Sequence, residues 1–162
     1  MMRRLAECLA VGLVACALPH GSLLAQQGAS VPAQFIGTWR LVSLSGDSAT
    51  LLRVGRNPTG LIVYDGSNHM AVQIQPDRQR TSWSPSRSPT ASEALDAVVG
   101  YVAYFGTYAV DTRSQTVTHH REGALNLDAV DYVRRYEFLP NGRLALTPVD
   151  RPGVRLVWER VK

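Results

Sequence analysis

Cysteine is nearly absent from this chain of 162 residues, and its placement excludes several kinds of site. The two cysteines, Cys8 and Cys16, both lie within residues 1–25. If that segment is removed on export, the remaining chain has no thiol for a disulfide bond or for a thiolate-bound metal. The hydrophobic core must then stabilise the fold without covalent cross-links.

Long runs of one charge sign are also missing. Lysine and arginine total 17 against 13 acidic residues, and the only adjacent basic pair beyond the N-terminal segment is Arg134 and Arg135. A scattered distribution of this kind predicts no nucleic-acid partner, because such binding needs a basic stripe or patch. The motifs of serine hydrolases, dinucleotide-binding enzymes, P-loop proteins and zinc proteases are absent as well. The sequence therefore predicts no cofactor and leaves any catalytic residue unknown.

The N-terminal segment has the order of an export signal. Arg3 and Arg4 precede an apolar run that is too short to cross a membrane. This order predicts a signal peptide over residues 1–25, cleaved after Ala25, and a flexible leader over residues 26–34. The processed protein is then expected to be periplasmic or secreted.

A lipoprotein interpretation of the same segment stays open. Residues 13–16 fit a bacterial lipobox, in which Cys16 is lipidated and becomes the mature N-terminus. The protein would then be tethered to a membrane through Cys16. An uncleaved membrane anchor is the least favoured interpretation, since the apolar run is short.

From Phe35 onward, short β-type runs alternate with turn residues, a pattern typical of a barrel or a sandwich. The predicted strands cover residues 36–45, 50–54, 60–65, 69–75, 103–111, 115–122, 126–139, 143–148 and 154–161. Asn141 and Gly142 predict the sharpest hairpin, because both central residues of a type I′ turn need positive φ.

One segment interrupts the β pattern. Thr90 and Glu93 have the spacing of a capping box at a helix N-terminus. Apolar residues follow at helical spacing, namely Leu95, Val98, Val99 and Val102. The spacing predicts one short helix inserted near residues 91–102. Its apolar stripe is expected to pack on the sheet or across the end of a barrel.

Several short runs, in their order and spacing, resemble the lipocalin-like domain family. They include GTWRLV from Gly37, PTGLIVY from Pro58, YFGTYAVD from Tyr104 and RYEF from Arg135. The resemblance implies an all-β fold, with a single antiparallel lipocalin-like β-barrel of about eight strands formed by residues 35–162. It also implies that Trp39 closes one end of the barrel and that Arg160 covers its ring.

A closed barrel encloses a cavity, and six side chains are candidates to line it. They are Tyr64, Tyr104, Tyr108, His119, Arg134 and Tyr136. Tyr104 and Tyr108 lie four residues apart on one strand and so share a face. His119 lies two residues after Val117 and so shares its face of the strand, a relation that we call parity. His119 is therefore expected to point inward, and His120 outward. Two adjacent histidines that face apart cannot converge on one ion, so no metal site is predicted.

Arg134 shares the face of Tyr136 and is expected at the barrel rim or inside, paired with an acidic side chain. The alternative is that Arg134 binds a carboxylate of a ligand. Glu137 and Arg135 are expected to form a solvent-exposed pair on the other face.

Three functions follow from these observations. The favoured one is binding of a small hydrophobic or amphipathic molecule in the barrel cavity. The second is an enzyme of the isomerase or cyclase type, using His119 with Tyr104 or Tyr108 as its acid or base. The third is an envelope-tethered interaction module, which gains support if Cys16 is lipidated.

Overall fold

Eight antiparallel strands form a closed barrel within residues 33–126 and 130–162, which the computed structural model describes. Each strand pairs with the next along the chain, and β8 pairs with β1 to complete the closure. The elements are β1 (Gly37–Ser45), α1 (Ser48–Val54), β2 (Thr59–Tyr64), β3 (His69–Gln75), α2 (Ala91–Val98), β4 (Val102–Asp111), β5 (Thr116–Ala124), β6 (Tyr132–Leu139), β7 (Arg143–Pro148) and β8 (Arg155–Arg160). The predicted single barrel of about eight strands is confirmed.

Apolar and polar residues alternate along the strands, so that the apolar side chains face the barrel interior. In β3, Met70, Val72 and Ile74 are buried while the residues between them are exposed. The hairpin predicted at Asn141 and Gly142 is also present. These two residues have φ values of 66° and 72°, within the short 3-10 turn that joins β6 to β7.

The barrel has two different ends. The closed end is where β1 begins and β8 ends, and the mouth is where α1, α2 and the turn from β7 to β8 lie. Phe35 enters the closed end from the segment before β1 and is fully buried. Its ring packs edge-on against Phe138, with 5.1 Å between centroids, and against other aromatic rings of the interior. The aromatic side chains therefore fill the closed end.

Trp39 and Arg160 seal the closed end as the resemblance implies. The Trp39 side chain is 1% exposed, and its Nε1 donates to the Phe35 carbonyl oxygen at 2.8 Å. The Arg160 guanidinium carbon lies 4.2 Å from the centroid of the Trp39 ring. Arg160 also donates to the carbonyl oxygens of Ile36 and Gln34. The cover over the ring is thus held by hydrogen bonds to the backbone as well.

Gly37 is required beside this cover, which leads to a stability prediction. Its φ is 139°, and a Cβ at this position would lie 2.4 Å from Arg160 Nη1. Gly37→Ala is therefore expected to strain the backbone and displace Arg160, lowering the free energy of unfolding by more than about 1 kcal/mol in urea titrations. Gly153→Ala is the matched control, because no atom lies within 4 Å of its added Cβ. Equal stabilities for the two variants would contradict this assignment.

The structure corrects the prediction for residues 50–54, which form most of helix α1 instead of a strand. Asp47 caps this helix, since its side chain accepts a hydrogen bond from the Thr50 backbone N–H at 2.8 Å. A short segment with three apolar residues fits either a strand or a helix turn, and the cap decides between them. The described residues thus contain two helices, where one was predicted.

Helix α2 confirms the predicted helix but not its packing. It begins after Thr90, whose capping box with Glu93 is present, and it ends at Val98. The apolar stripe does not pack on the barrel: Leu95 is 62% exposed and Val98 is 43% exposed. Polar contacts hold the helix instead, with Arg78 donating to both the side chain and the backbone of Asp96. The helix therefore presents apolar side chains to solvent beside the mouth.

One more strand prediction and one ion-pair prediction are also corrected. The strand expected over residues 126–139 is limited to β6 within the described residues, and residues 127–129 lie outside them. Glu137 pairs with Arg155 on β8 at 2.7 Å and not with Arg135. The partner of Glu137 is therefore a residue two strands away on the outer surface, where a residue of the same strand was expected.

The predicted signal peptide, the leader and the lipid tether at Cys16 lie outside the described residues, apart from the last two positions of the leader. Cleavage, export and lipidation all stay predictions. No helix in the part of the chain that is described has the length and apolarity needed to cross a membrane.

Candidate ligand site at the barrel mouth

A cavity of about 600 Å³ opens at the mouth of the barrel. We call it the mouth cavity. Its apolar lining includes Leu44, Val54, Ile74, Val98, Val102 and Leu156. Its polar lining includes Thr50, Arg53, Tyr132, Arg134, Asp150 and Arg151. An apolar wall with a few convergent polar groups is typical of a site for a small organic molecule.

Helix α1 forms one wall of the mouth cavity and is held in place by the segment that follows β3. The Asp77 backbone N–H donates to the Val54 carbonyl oxygen at 2.8 Å. Gly100, with a φ of 78°, lies so close that an added Cβ would be 2.2 Å from the Arg53 carbonyl oxygen. Only glycine fits this approach, and the end of α2 is thereby brought against the end of α1.

The barrel interior below the mouth cavity is nearly filled. A second space of only about 20 Å³, which we call the inner cavity, lies there. Tyr104, Arg134 and Trp158 are among its lining residues, and Arg134 lines the mouth cavity as well. Arg134 therefore lies between the two spaces, at the floor of the mouth cavity.

Four of the six predicted site residues form one hydrogen-bonded chain. Arg134 Nη2 donates to Tyr104 Oη at 3.2 Å. The Tyr104 hydroxyl is 2.8 Å from His119 Nδ1, and the Tyr64 hydroxyl is 2.7 Å from His119 Nε2. We call these four residues the buried polar chain. A neutral imidazole donates at one nitrogen and accepts at the other, so one phenol accepts from His119 and the other donates to it.

Burial sets the protonation of this chain. Removal from water lowers the pKa of His119 well below its usual value of 6.5, and the positive charge of Arg134 lowers it further. Burial likewise raises the pKa of Tyr64 well above its usual range. His119 is fully buried and points inward, as its parity with Val117 predicts. The imidazole is therefore neutral, with both nitrogens already bonded.

Tyr108 and Tyr136 are not hydrogen-bonded members of the buried polar chain, although the Tyr108 ring packs edge-on against Tyr64 with 4.7 Å between centroids. Tyr108 donates its hydroxyl to the Asp65 carbonyl oxygen at 2.8 Å, and burial raises its pKa to about 12. Tyr136 packs edge-on against Phe35, with 4.8 Å between ring centroids. Neither tyrosine is among the residues that line the mouth cavity. Ligand contacts for Tyr64, Tyr104, Tyr108, His119 and Tyr136 remain predictions.

Arg134 points inward as expected but does not have the acidic partner that was predicted. Among the described residues its side chain forms no ion pair, and Tyr104 is its hydrogen-bond partner. Its guanidinium carbon also lies 5.2 Å from the Tyr132 ring centroid. Burial lowers the pKa of Arg134, yet the nearby phenols outweigh burial and raise that pKa above its usual value. Arg134 is thus a charged group held by aromatic residues.

Several residues at or near the mouth were not predicted from the sequence. Tyr132 lies on the inward face of β6, and its parity with Arg134 was the available signal. Arg121 shares parity with His119 and stacks on the Tyr132 ring at 3.9 Å. Arg53 and Arg151 come from α1 and from a turn, where strand parity gives no signal.

No group of three side chains able to hold a metal ion occurs in residues 33–126 and 130–162. The three described histidines lie apart in the manner expected: His119 is inside, whereas His69 and His120 are exposed beside Asp65 and Asp131.

The fold is an up-and-down barrel. Its own side chains fill one end, and a cavity is open at the other. Proteins of this class generally bind small molecules. The family model for the lipocalin-like domain matches residues 36–160. The chain therefore belongs to the lipocalin-like domain family, and the resemblance found in its sequence is confirmed. No curated protein matches the chain.

Proposed function

We propose that this protein binds a small hydrophobic or amphipathic molecule in the mouth cavity. The observation that carries the proposal is the open space of about 600 Å³ above a filled barrel interior. A volume of this size is within the range of small-molecule sites. Burial of apolar ligand surface supplies affinity at roughly 25 cal/mol per Å² removed from water.

The ligand is expected to enter between α1 and α2 and to stop at Arg134. The exposed apolar side chains of α2 lie beside this entrance, and Val98 lines the cavity itself. The closed end does not extend the site, because aromatic rings occupy it and the inner cavity holds only about 20 Å³. The favoured binding mode is therefore a shallow one at the mouth.

The enzyme alternative lacks a supporting observation. His119 was its candidate acid or base, and both ring nitrogens of His119 are bonded to phenols in the core. His119 is not among the residues that line the mouth cavity. The interaction-module alternative depends on lipidation of Cys16 and stays a prediction.

Blocking the mouth cavity tests the proposal. The neutral amphiphile N-phenyl-1-naphthylamine is expected to bind the purified protein with a rise in its fluorescence. Val98→Trp is expected to weaken that binding by about tenfold or more, because the larger side chain occupies part of the cavity. Leu95→Trp is the control on the same helix, since Leu95 does not line the cavity.

The two variants separate a site at the mouth from other modes of binding. Loss of affinity in Val98→Trp alone supports the mouth cavity. Equal affinity in both variants would place the probe elsewhere and overturn the proposed site. Absence of binding to the unaltered protein would contradict the function itself.

A further inference from the structure

Arg134, at the floor of the mouth cavity, and Trp158, in the inner cavity below it, have hydrogen-bond donors that no described residue accepts. A guanidinium carries five N–H donors, and Arg134 uses one of them on Tyr104. Trp158 lines the inner cavity beside Arg134, and its Nε1 is buried without a hydrogen-bond partner in the described part of the chain. A buried donor without an acceptor costs free energy, so an acceptor at this place is favourable.

The charged side chains that line the mouth cavity are mostly positive. Arg53, Arg134 and Arg151 line it, against Asp150 as the single carboxylate in that lining. Asp150 is already within 3.7 Å of Arg151. Arg134 therefore keeps a charge that no described carboxylate balances, and this charge attracts an anion into the mouth cavity.

We propose that the mouth cavity selects amphipathic molecules that carry a carboxylate, which Arg134 binds at the cavity floor. This inference rests on the proposed function and names the chemical class of the ligand. A guanidinium matches a carboxylate in a bidentate geometry, and charge-assisted hydrogen bonds are the stronger kind. The apolar part of the ligand then extends toward the entrance, along Ile74 and Val98.

Three probes with one ten-carbon chain test this selection by calorimetric titration of the purified protein. They are decanoate, decanol and decylammonium. Decanoate is expected to bind about tenfold or more tightly than decanol, and decylammonium least tightly. This comparison uses the unaltered protein, so it does not depend on the folding of any variant.

Two arginine variants then locate the selective group. Arg134→Met is expected to reduce the affinity for decanoate to that for decanol, while the affinity for decanol changes little. Arg135→Met is the matched control, because Arg135 is the next residue on β6 and is exposed. It is expected to keep the full preference for decanoate. Arg134→Lys retains the charge and should retain part of the preference.

The outcomes distinguish this inference from the proposed function. If decanol binds as tightly as decanoate, or if N-phenyl-1-naphthylamine binds and decanoate cannot displace it, the carboxylate proposal is wrong and the proposed function stands. If preference for decanoate survives in Arg134→Met, Arg134 is not the binding group. If neither the naphthylamine nor any ten-carbon probe binds, the proposed function itself is wrong.

Discussion

Replacing Trp39 with alanine is expected to lower the free energy of unfolding by roughly 3–5 kcal/mol. The Trp39 ring is 1% exposed, and it is covered by Arg160 on one side. Alanine leaves a cavity at the closed end and removes the hydrogen bond to the Phe35 carbonyl oxygen. Phe35 then loses a contact that holds it inside the barrel. Urea unfolding followed by circular dichroism measures this change.

Trp83→Ala is the matched control for this prediction. Trp83 undergoes the same chemical change, but it lies in the loop before α2 with 38% of its surface exposed. Its replacement is expected to alter the free energy of unfolding by only about 0.5 kcal/mol. Similar losses in the two variants would mean that the closed end does not carry the stability assigned to it.

Much of the barrel was predictable because its physical signals are local. A turn that needs positive φ at two positions selects Asn141 and Gly142, and the structure has positive φ at both. Alternation with period two then decides which side chains face inward. The parity that links His119 to Val117 held, because the shift in register on β4 and β5 lies between Phe105 and Gly106, beyond both residues.

Helix α1 and the packing of α2 were harder to predict than the strands. The apolar residues of α1 fit a strand or a helix equally well, and the Asp47 cap is a single hydrogen bond. The stripe on α2 satisfies the helical period, yet periodicity does not show which surface a stripe meets. Arg78, which lies in the loop between β3 and α2, holds α2 through Asp96, and the apolar stripe stays exposed.

The candidate site was predictable in its inward-facing residues but not in its division into two parts. Tyr64, Tyr104, His119 and Arg134 were all expected inside, and they form one connected chain. Their contacts with each other leave only Arg134 at the mouth cavity. Parity places a side chain inside a barrel, but the depth of the space beside it depends on how aromatic rings from other strands pack.

The acid expected beside Arg134 illustrates the same limit. Arg134 is only partly buried, but an inward-facing arginine is still expected to have an anionic partner, since removing an unpaired charge from water is costly. The structure instead surrounds Arg134 with phenols, among them Tyr104 and Tyr132. A hydroxyl acceptor and an aromatic face replace part of the lost solvation. The remaining donors are what make Arg134 the natural contact for a ligand carboxylate.

Acidification is expected to destabilise the protein through His119. Its pKa in the folded state lies well below 6.5, whereas the unfolded chain takes up a proton near 6.5. Below that pH the unfolded state binds more protons than the folded state, so the free energy of unfolding falls. The slope approaches about 1.4 kcal/mol per pH unit between pH 6.5 and pH 5. Urea unfolding at pH 7.5, 6.5 and 5.5 measures it.

Carboxyl groups do not account for a loss in this window. The pKa of Asp65 lies below its usual 3.8 chiefly because its side chain accepts the His69 backbone hydrogen bond, and the pKa of Asp111 is lowered first by the Ser114 hydroxyl and then by backbone N–H groups. Their contribution to stability is therefore lost only at a pH well below 5. His69 and His120 are both exposed, and each lies beside an acidic side chain at the protein surface.

His119→Gln separates the titration of this side chain from its hydrogen bonds. Glutamine does not ionise, so the decline in stability between pH 6.5 and pH 5 is expected to disappear. The variant is also expected to be less stable at pH 7.5 by about 1–3 kcal/mol, since a flexible amide does not place its donor and its acceptor where the two ring nitrogens of His119 lie. His120→Gln, one residue along the strand and outward-facing, should keep the decline. A decline that persists in His119→Gln would show that a different group takes up the proton, and the buried polar chain would then not be the source of acid sensitivity.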